Sequence, residues 1–143
     1  MSAIEEFIEA RIAEDEQTAR TAGERAMKWR SYDGAVSGGP FEPADPEWGI
    51  EESGTHTIVY DEGWPLKSEA AHIARMDPER AVREVDGKRA IVAECASILE
   101  VDGWEYTDAP NLAWLTLYGL AAAWADHPDY DQDWALVDAE EKS

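Results

Sequence analysis

The sequence predicts an α+β domain that is mostly helical, with three longer helices and one short helix packed against a small antiparallel β-hairpin. Three observations lead there. Apolar residues recur at three- and four-residue spacing over residues 4–12 and 82–99, the period of a buried helix face, and residues 112–124 form a helix-length run that is apolar nearly all round. The run Thr55-His56-Thr57-Ile58-Val59-Tyr60 is instead β-branched and aromatic, which suits a strand. A length of 143 residues supports one hydrophobic core, and the single Cys95 excludes an internal disulfide.

Taken in order, the first helix starts at Ser2, which has capping-box spacing with Glu5. Ile4, Phe7, Ile8 and Ile12 form its apolar stripe, and Ala19, Ala22 and Ala26 continue it more weakly. Glu16 with Arg20, and Glu24 with Lys28, are spaced for i,i+4 pairing. Residues 31–46, with Gly38-Gly39-Pro40 at their centre, predict a loop. Trp48-Gly49-Ile50 and residues 55–60 are the two hairpin strands, joined around Ser53-Gly54. A hairpin alone is marginal in water, so it must pack on a helix or join further strands.

Ser68 caps the short helix, which ends near Met76. Asp77-Pro78 restarts the chain as N-cap and first helical residue of the next helix. That helix carries Val82, Val85, Val92, Cys95 and Leu99 on one stripe, widened by Ile91 and Ile98, with Glu79–Arg83 and Glu84–Lys88 pairs outside and an end near Gly103. Pro110 opens the last helix, which is apolar nearly all round and is therefore central or covered by a partner. Of the seven tryptophans, Trp114 and Trp124 are expected in the core, and Trp29, Trp48, Trp64 and Trp104 near element ends. The organisation expected is one globular domain over residues 1–125 followed by an acidic segment over 126–143.

Charge narrows the function classes. The chain carries 32 acidic and 12 basic residues, a net charge of −20. The excess is concentrated in residues 31–71 and 101–143, at −8 and −9, while the other two stretches are nearly balanced. Such a field repels nucleic-acid phosphates and anionic lipid, so neither is expected as a direct partner. No apolar run approaches the length of a membrane span, and the start of the sequence lacks the basic and apolar pattern of a signal peptide, so a cytoplasmic location is expected. In the densest acidic stretch, Tyr130 and Trp134 lie among Asp129, Asp131 and Asp133, and large aromatics between carboxylates suit a basic, partly apolar partner or the protein's own core. These five are the candidate partner-binding residues.

Common catalytic signatures are missing: there is no P-loop, no His-Glu-x-x-His helix and no G-x-S-x-G elbow. Cys95 lies mid-stripe, as a packed side chain does. The candidate ligand-binding residues are His72, Arg75, Asp77, Arg80, Arg83, Asp126 and His127, which hold two imidazoles, two carboxylates and a concentration of basic groups behind a helix N-terminus. Several also have a structural role open to them: Asp77 as a cap, His127 at a helix C-terminus, and the arginines on a salt-bridged helix face. No catalytic residue, resident metal or cofactor is assigned.

The segment from His72 through Asp77-Pro78 to Val85, continuing to Lys88-Arg89, and the later Ala125-Asp126-His127-Pro128-Asp129-Tyr130 with Trp134, resemble an uncharacterised family of small acidic proteins from actinobacteria and their phages. Its members are similar in having an acidic first helix, seen here as Asp15-Glu16 to Arg20. The resemblance implies kinship and source but brings no activity with it. Many members carry a cysteine cluster before the last helix, which would imply metal there, and residues 104–111 of this chain have no cysteine.

Three function classes follow. The first is a non-enzymatic acidic binding or regulatory protein, such as a phage accessory factor, that docks a basic host protein or mimics nucleic-acid charge. The second is a small-ligand (nucleotide or phosphate) or metal-binding protein using the His72–Arg80 and Asp126–Asp129 segments. The third is a self-associating structural protein, an oligomer through the 110–125 helix.

Overall fold

Ser2 and Glu5 do start the first helix, by bonds that differ in part from a full capping box. In the computed structural model, which describes residues 1–40, 56–63 and 65–136, the Glu5 carboxylate accepts the Ser2 backbone N–H at 2.7 Å and takes the Ser2 hydroxyl as well. Helix α1 runs Ala3–Ala22, followed by strands β1 (Lys28–Tyr32), β2 (Ala35–Gly39) and β3 (His56–Val59), then helices α2 (Lys67–Arg75), α3 (Pro78–Glu100) and α4 (Ala109–Ala121). The α+β, mostly helical class holds, with four helices and a three-stranded antiparallel sheet among the described residues. By contacts the chain forms two compact units, Met1–Glu14 with Val85–Ser143, and Asp15–Glu84. Residues 126–136 of the expected acidic tail pack within the first of these.

In the unit Asp15–Glu84 the sheet order is β1-β2-β3. This corrects the expected loop over residues 31–46, because β1 and β2 occupy it as far as Gly39. The pairing Tyr32↔Ala35 leaves Asp33-Gly34 as a two-residue connection, and Asp-Gly between two runs is the strongest short-range hairpin signal in a sequence. Asp33 takes φ +50°, a left-handed conformation that Asp tolerates, and a Cβ on Gly34 would lie 2.5 Å from the Pro65 carbonyl oxygen. Composition hid β2 because Gly38 serves packing: a Cβ there would sit 2.8 Å from Ala26 Cβ and 3.1 Å from the Trp29 ring. The expected strand over residues 55–60 is present as β3, paired to β2 with a register shift between Val36 and Ser37. Its expected partner, Trp48-Gly49-Ile50, lies outside the described residues, as does Trp64.

α2 covers this sheet, with Ala70, Ile73 and Ala74 meeting Trp29, Val36, Ile58 and Val59. Its N-cap position is Leu66, whose N–H donates to the Glu69 carboxylate at 2.6 Å; Ser68 lies inside the helix. Asp77 then binds two elements at once. One carboxylate oxygen accepts the Arg80 N–H at 2.8 Å, capping α3 as the sequence predicts, and the other accepts the Trp29 N–H of β1 at 3.1 Å. The Glu79 N–H completes the junction by donating to the Met27 carbonyl at 2.9 Å.

The first unit centres on Ile4, Phe7, Ile8 and Ile12 of α1, each at most 7% exposed. Val85, Val92 and Cys95 of α3, Ala113, Leu117 and Ala121 of α4, and Tyr130 close the core around them. Trp114 and Trp124 pack against this core half-buried. The outer side of α4 is open, with Leu112 65% and Leu115 55% exposed, so the apolar run is not covered all round by the described chain.

Replacing Asp77 removes an N-cap and leaves the Trp29 N–H without its acceptor. Asp77→Ala is expected to cost about 2–3 kcal/mol in urea unfolding, and Asp77→Asn less, since its one carbonyl oxygen retains one of the two bonds.

Candidate functional site

Pro128 prevents the chain from continuing helically after α4, and residues 122–135 turn back in short steps. N–H groups of Ala125, His127, Tyr130, Trp134 and Ala135 each bond the carbonyl three residues earlier, so the segment meets its backbone needs locally. Asp131 caps the last step, a single 3-10 turn over Gln132–Trp134, by accepting the Asp133 N–H at 2.9 Å.

Aromatic packing on α1 holds this segment down. The Phe7 ring centroid lies 5.7 Å from His127, 5.9 Å from Tyr130 and 5.2 Å from Trp134, and Tyr130 meets Trp134 edge-on at 5.6 Å. Aromatic pairs in such geometries contribute about 0.5–1.5 kcal/mol each beyond burial. Arg11, one turn after Phe7, is buried at 7% exposure, with its guanidinium 5.3 Å from the Phe7 centroid. It pairs with Glu14 at 2.7 Å and lies 3.9 Å from the Asp129 carboxylate. Its Nη1 is 2.7 Å from Nε2 and 2.9 Å from Nδ1 of His127, and Nδ1 also accepts the Asp129 N–H at 3.0 Å. A guanidinium only donates and an imidazole offers one acceptor nitrogen, so Nδ1, which takes the Asp129 N–H, is the nitrogen that accepts from Arg11. The Arg11 Nε has no hydrogen-bond partner among the described residues.

Two grooves flank the 3-10 turn. One, about 420 Å³, is lined by Glu6, Phe7, Arg11, Asp129, Asp131 and Trp134. The other, about 560 Å³, lies between α4 and the end of the described chain and is lined by Asn111, Trp114, Leu115, Tyr118, Asp133 and Leu136. The first is carboxylate-rich beside an indole, and the Arg11 on its wall is paired with Glu14. The second is mainly aromatic and aliphatic with one carboxylate on its wall.

Against this geometry the family is clear. A family profile spans residues 1–136. The chain belongs to DUF6221, a family of unknown function. No curated protein and no solved structure matches it.

In this DUF6221 chain the candidate residues fall in two places. His72, Arg75, Asp77, Arg80 and Arg83 belong to the unit Asp15–Glu84, and Asp126 and His127 to the other. Both Asp77 oxygens are taken by backbone donors, so it is a structural residue. Arg83 pairs with Glu79 at 3.5 Å as expected, whereas Glu84 pairs with Arg80 at 2.8 Å in place of the expected Lys88, whose ammonium lies over the Trp124 ring. Exposed His72 and Arg75 lie on α2. Among the described residues no cluster of three or more His, Cys, Asp or Glu is placed to hold a metal ion.

Of the candidate partner-binding residues, Asp129, Asp131 and Asp133 are exposed and Trp134 is half-buried. Tyr130 is 7% exposed, so it supports the surface from beneath. Sequence reasoning missed Phe7, Arg11 and the α4 wall as parts of the site. A signal for Arg11 was present: it falls at i+4 from Phe7 and i+3 from Ile8, a charged residue on the buried stripe.

Cys95 is 5% exposed. Burial, with the nearby Glu94 and Glu5 carboxylates, pushes its thiol above the usual value. Its contribution to stability is therefore complete below the ordinary thiol range and is lost as pH rises through the raised folded value. Iodoacetamide should label Cys95 far more slowly in the native chain than in urea, and native labelling at the unfolded rate would overturn this. Tyr130→Ala should cost about 3 kcal/mol and expose residues 126–136 to limited proteolysis under native conditions.

Proposed function

We propose that this protein is a non-enzymatic binding protein that docks a basic segment of a partner protein on the face formed by Asp129, Asp131, Asp133 and Trp134. One observation carries the reading: these carboxylates are held in place by packing of Tyr130 and Trp134 on Phe7, where a solvated tail would leave them free. Ordered charges lose less entropy when a partner binds. The net charge of −20 speeds encounter with a basic partner and repels acidic ones. Mimicry of nucleic-acid charge is a specific form of the same docking. The resemblance of the segments around His72–Val85 and Ala125–Trp134 supports a source in actinobacteria or their phages, and so a role in the cytoplasm of a bacterium or of an infected host cell.

No helix among the described residues is long and apolar enough to cross a membrane. The exposed Leu112 and Leu115 of α4 favour a second reading, self-association through that helix, which sedimentation of the purified chain over a concentration series distinguishes.

Because any acidic protein attracts a basic peptide, the test compares variants of equal net charge. Asp129→Asn, Asp131→Asn and Asp133→Asn together should weaken octalysine binding roughly tenfold at moderate salt. Neutralising the exposed Glu24, Asp86 and Asp102 should change it much less. Equal losses would mean that only the overall field acts, and the site would be withdrawn.

A further inference from the structure

The groove between α4 and the segment ending at Leu136 is apolar where the docking face is charged. Trp114 and Tyr118 form one wall, their rings stacked at 6.0 Å and 27°. Leu115 and Leu136 line it while remaining 55% and 52% exposed. With Leu112 beside Leu115 on the open side of α4, these side chains form a contiguous apolar patch, where a single exposed leucine would mean nothing. The volume, about 560 Å³, is in the range of sites that enclose a ligand group.

Charge decides between occupants. Asp133 sits on the groove wall, and Asp131 and Asp129 follow on the other side of the same 3-10 turn. Among the described residues no lysine or arginine lines this groove. The seven residues beyond Leu136 include Asp138, Glu140 and Glu141 against Lys142 alone, and a second copy of the chain brings another −20. Both have the same sign as the groove's rim. A basic segment has the opposite sign, and an aliphatic or aromatic side chain within it would fill the apolar wall.

We infer that this groove receives one large apolar side chain from the same basic segment that docks on Asp129, Asp131 and Asp133. The inference rests on the docking reading above and names its ligand class: a short basic stretch with a leucine-like or aromatic residue close to the basic ones. The two grooves are separated by a single 3-10 turn, which rises about 2 Å per residue. The apolar residue and the basic side chain opposite Asp131 therefore lie roughly two to three residues apart in an extended ligand.

The test uses the full chain and two peptides of equal charge, octalysine and octalysine with one leucine inserted at its centre, with binding followed by tryptophan fluorescence. The leucine peptide should bind about tenfold more tightly, the effect of burying one aliphatic side chain. Leu115→Ser with Leu136→Ser should abolish that advantage and leave octalysine binding unchanged; both leucines are half-exposed, so the fold does not depend on them. If the leucine peptide gains nothing while octalysine binding still depends on the three aspartates, the groove inference falls and the docking reading stands. If neither peptide binds, both fall. The inference is also overturned if deleting residues 137–143 is required before the leucine advantage emerges, or if the chain dimerises and Leu115→Ser makes it monomeric, because the groove then belongs to the chain itself or to a second copy.

Discussion

The packing of Phe7 against His127, Tyr130 and Trp134 is the interaction on which the candidate site depends. Residues 126–136 form no long helix and no strand, so their local turns alone would not hold them in one arrangement. A single α1 ring supplies the common surface, and Ile4, Ile8 and Ile12 on the same stripe fix that ring's place in the core. The carboxylates of Asp129, Asp131 and Asp133 are exposed, while Tyr130 and Trp134 turn onto the Phe7 ring. Two aromatic anchors set among the acids, Tyr130 and Trp134, thus hold an ordered negative surface.

Holding like charges close together has a cost, and the structure meets part of it with Arg11. That guanidinium, nearly buried, faces Glu14, His127 and Asp129 and lies over the Phe7 ring. A buried arginine stabilises only when its partners are in place, so it couples the position of α1 to that of the 127–129 turn. Asp131 and Asp133 have no comparable cation among the described interactions. Repulsion between them is screened beyond about 8 Å at physiological salt, yet remains at the separations within one turn.

In the unit Asp15–Glu84 the comparable role falls to Asp77. An edge strand leaves backbone donors unpaired, and a helix N-terminus does the same. One carboxylate satisfies a donor of each kind, Trp29 N–H and Arg80 N–H, and the Glu79 N–H to Met27 carbonyl bond runs alongside. This explains why Asp77-Pro78 is the sharpest boundary in the sequence. The basic residues that follow it on α3, Arg80 and Arg83, are engaged along the helix with Glu84 and Glu79.

Local chemistry determined the helices. Capping residues, a proline at a helix start and apolar spacing act within a few residues, so α1, α2, α3 and α4 were legible with their cores, and the i,i+4 pairs Glu16–Arg20 and Glu79–Arg83 form as spaced. Glu24–Lys28 was misjudged because α1 ends at Ala22 and Lys28 enters β1. The first two strands were hidden because β2 uses Gly38 to admit Ala26 and Trp29, and a residue chosen for close approach carries no strand signature of its own. For the site, the sequence by itself determined the charge and the aromatic residues among the acids. Only the tertiary structure decided that Tyr130 turns inward, that Phe7 and Arg11 lie beneath it, and that α4 supplies an apolar wall beside Asp133. Those are contacts between residues more than a hundred positions apart or on separate elements, and a periodic pattern says which face is apolar without saying what will meet it.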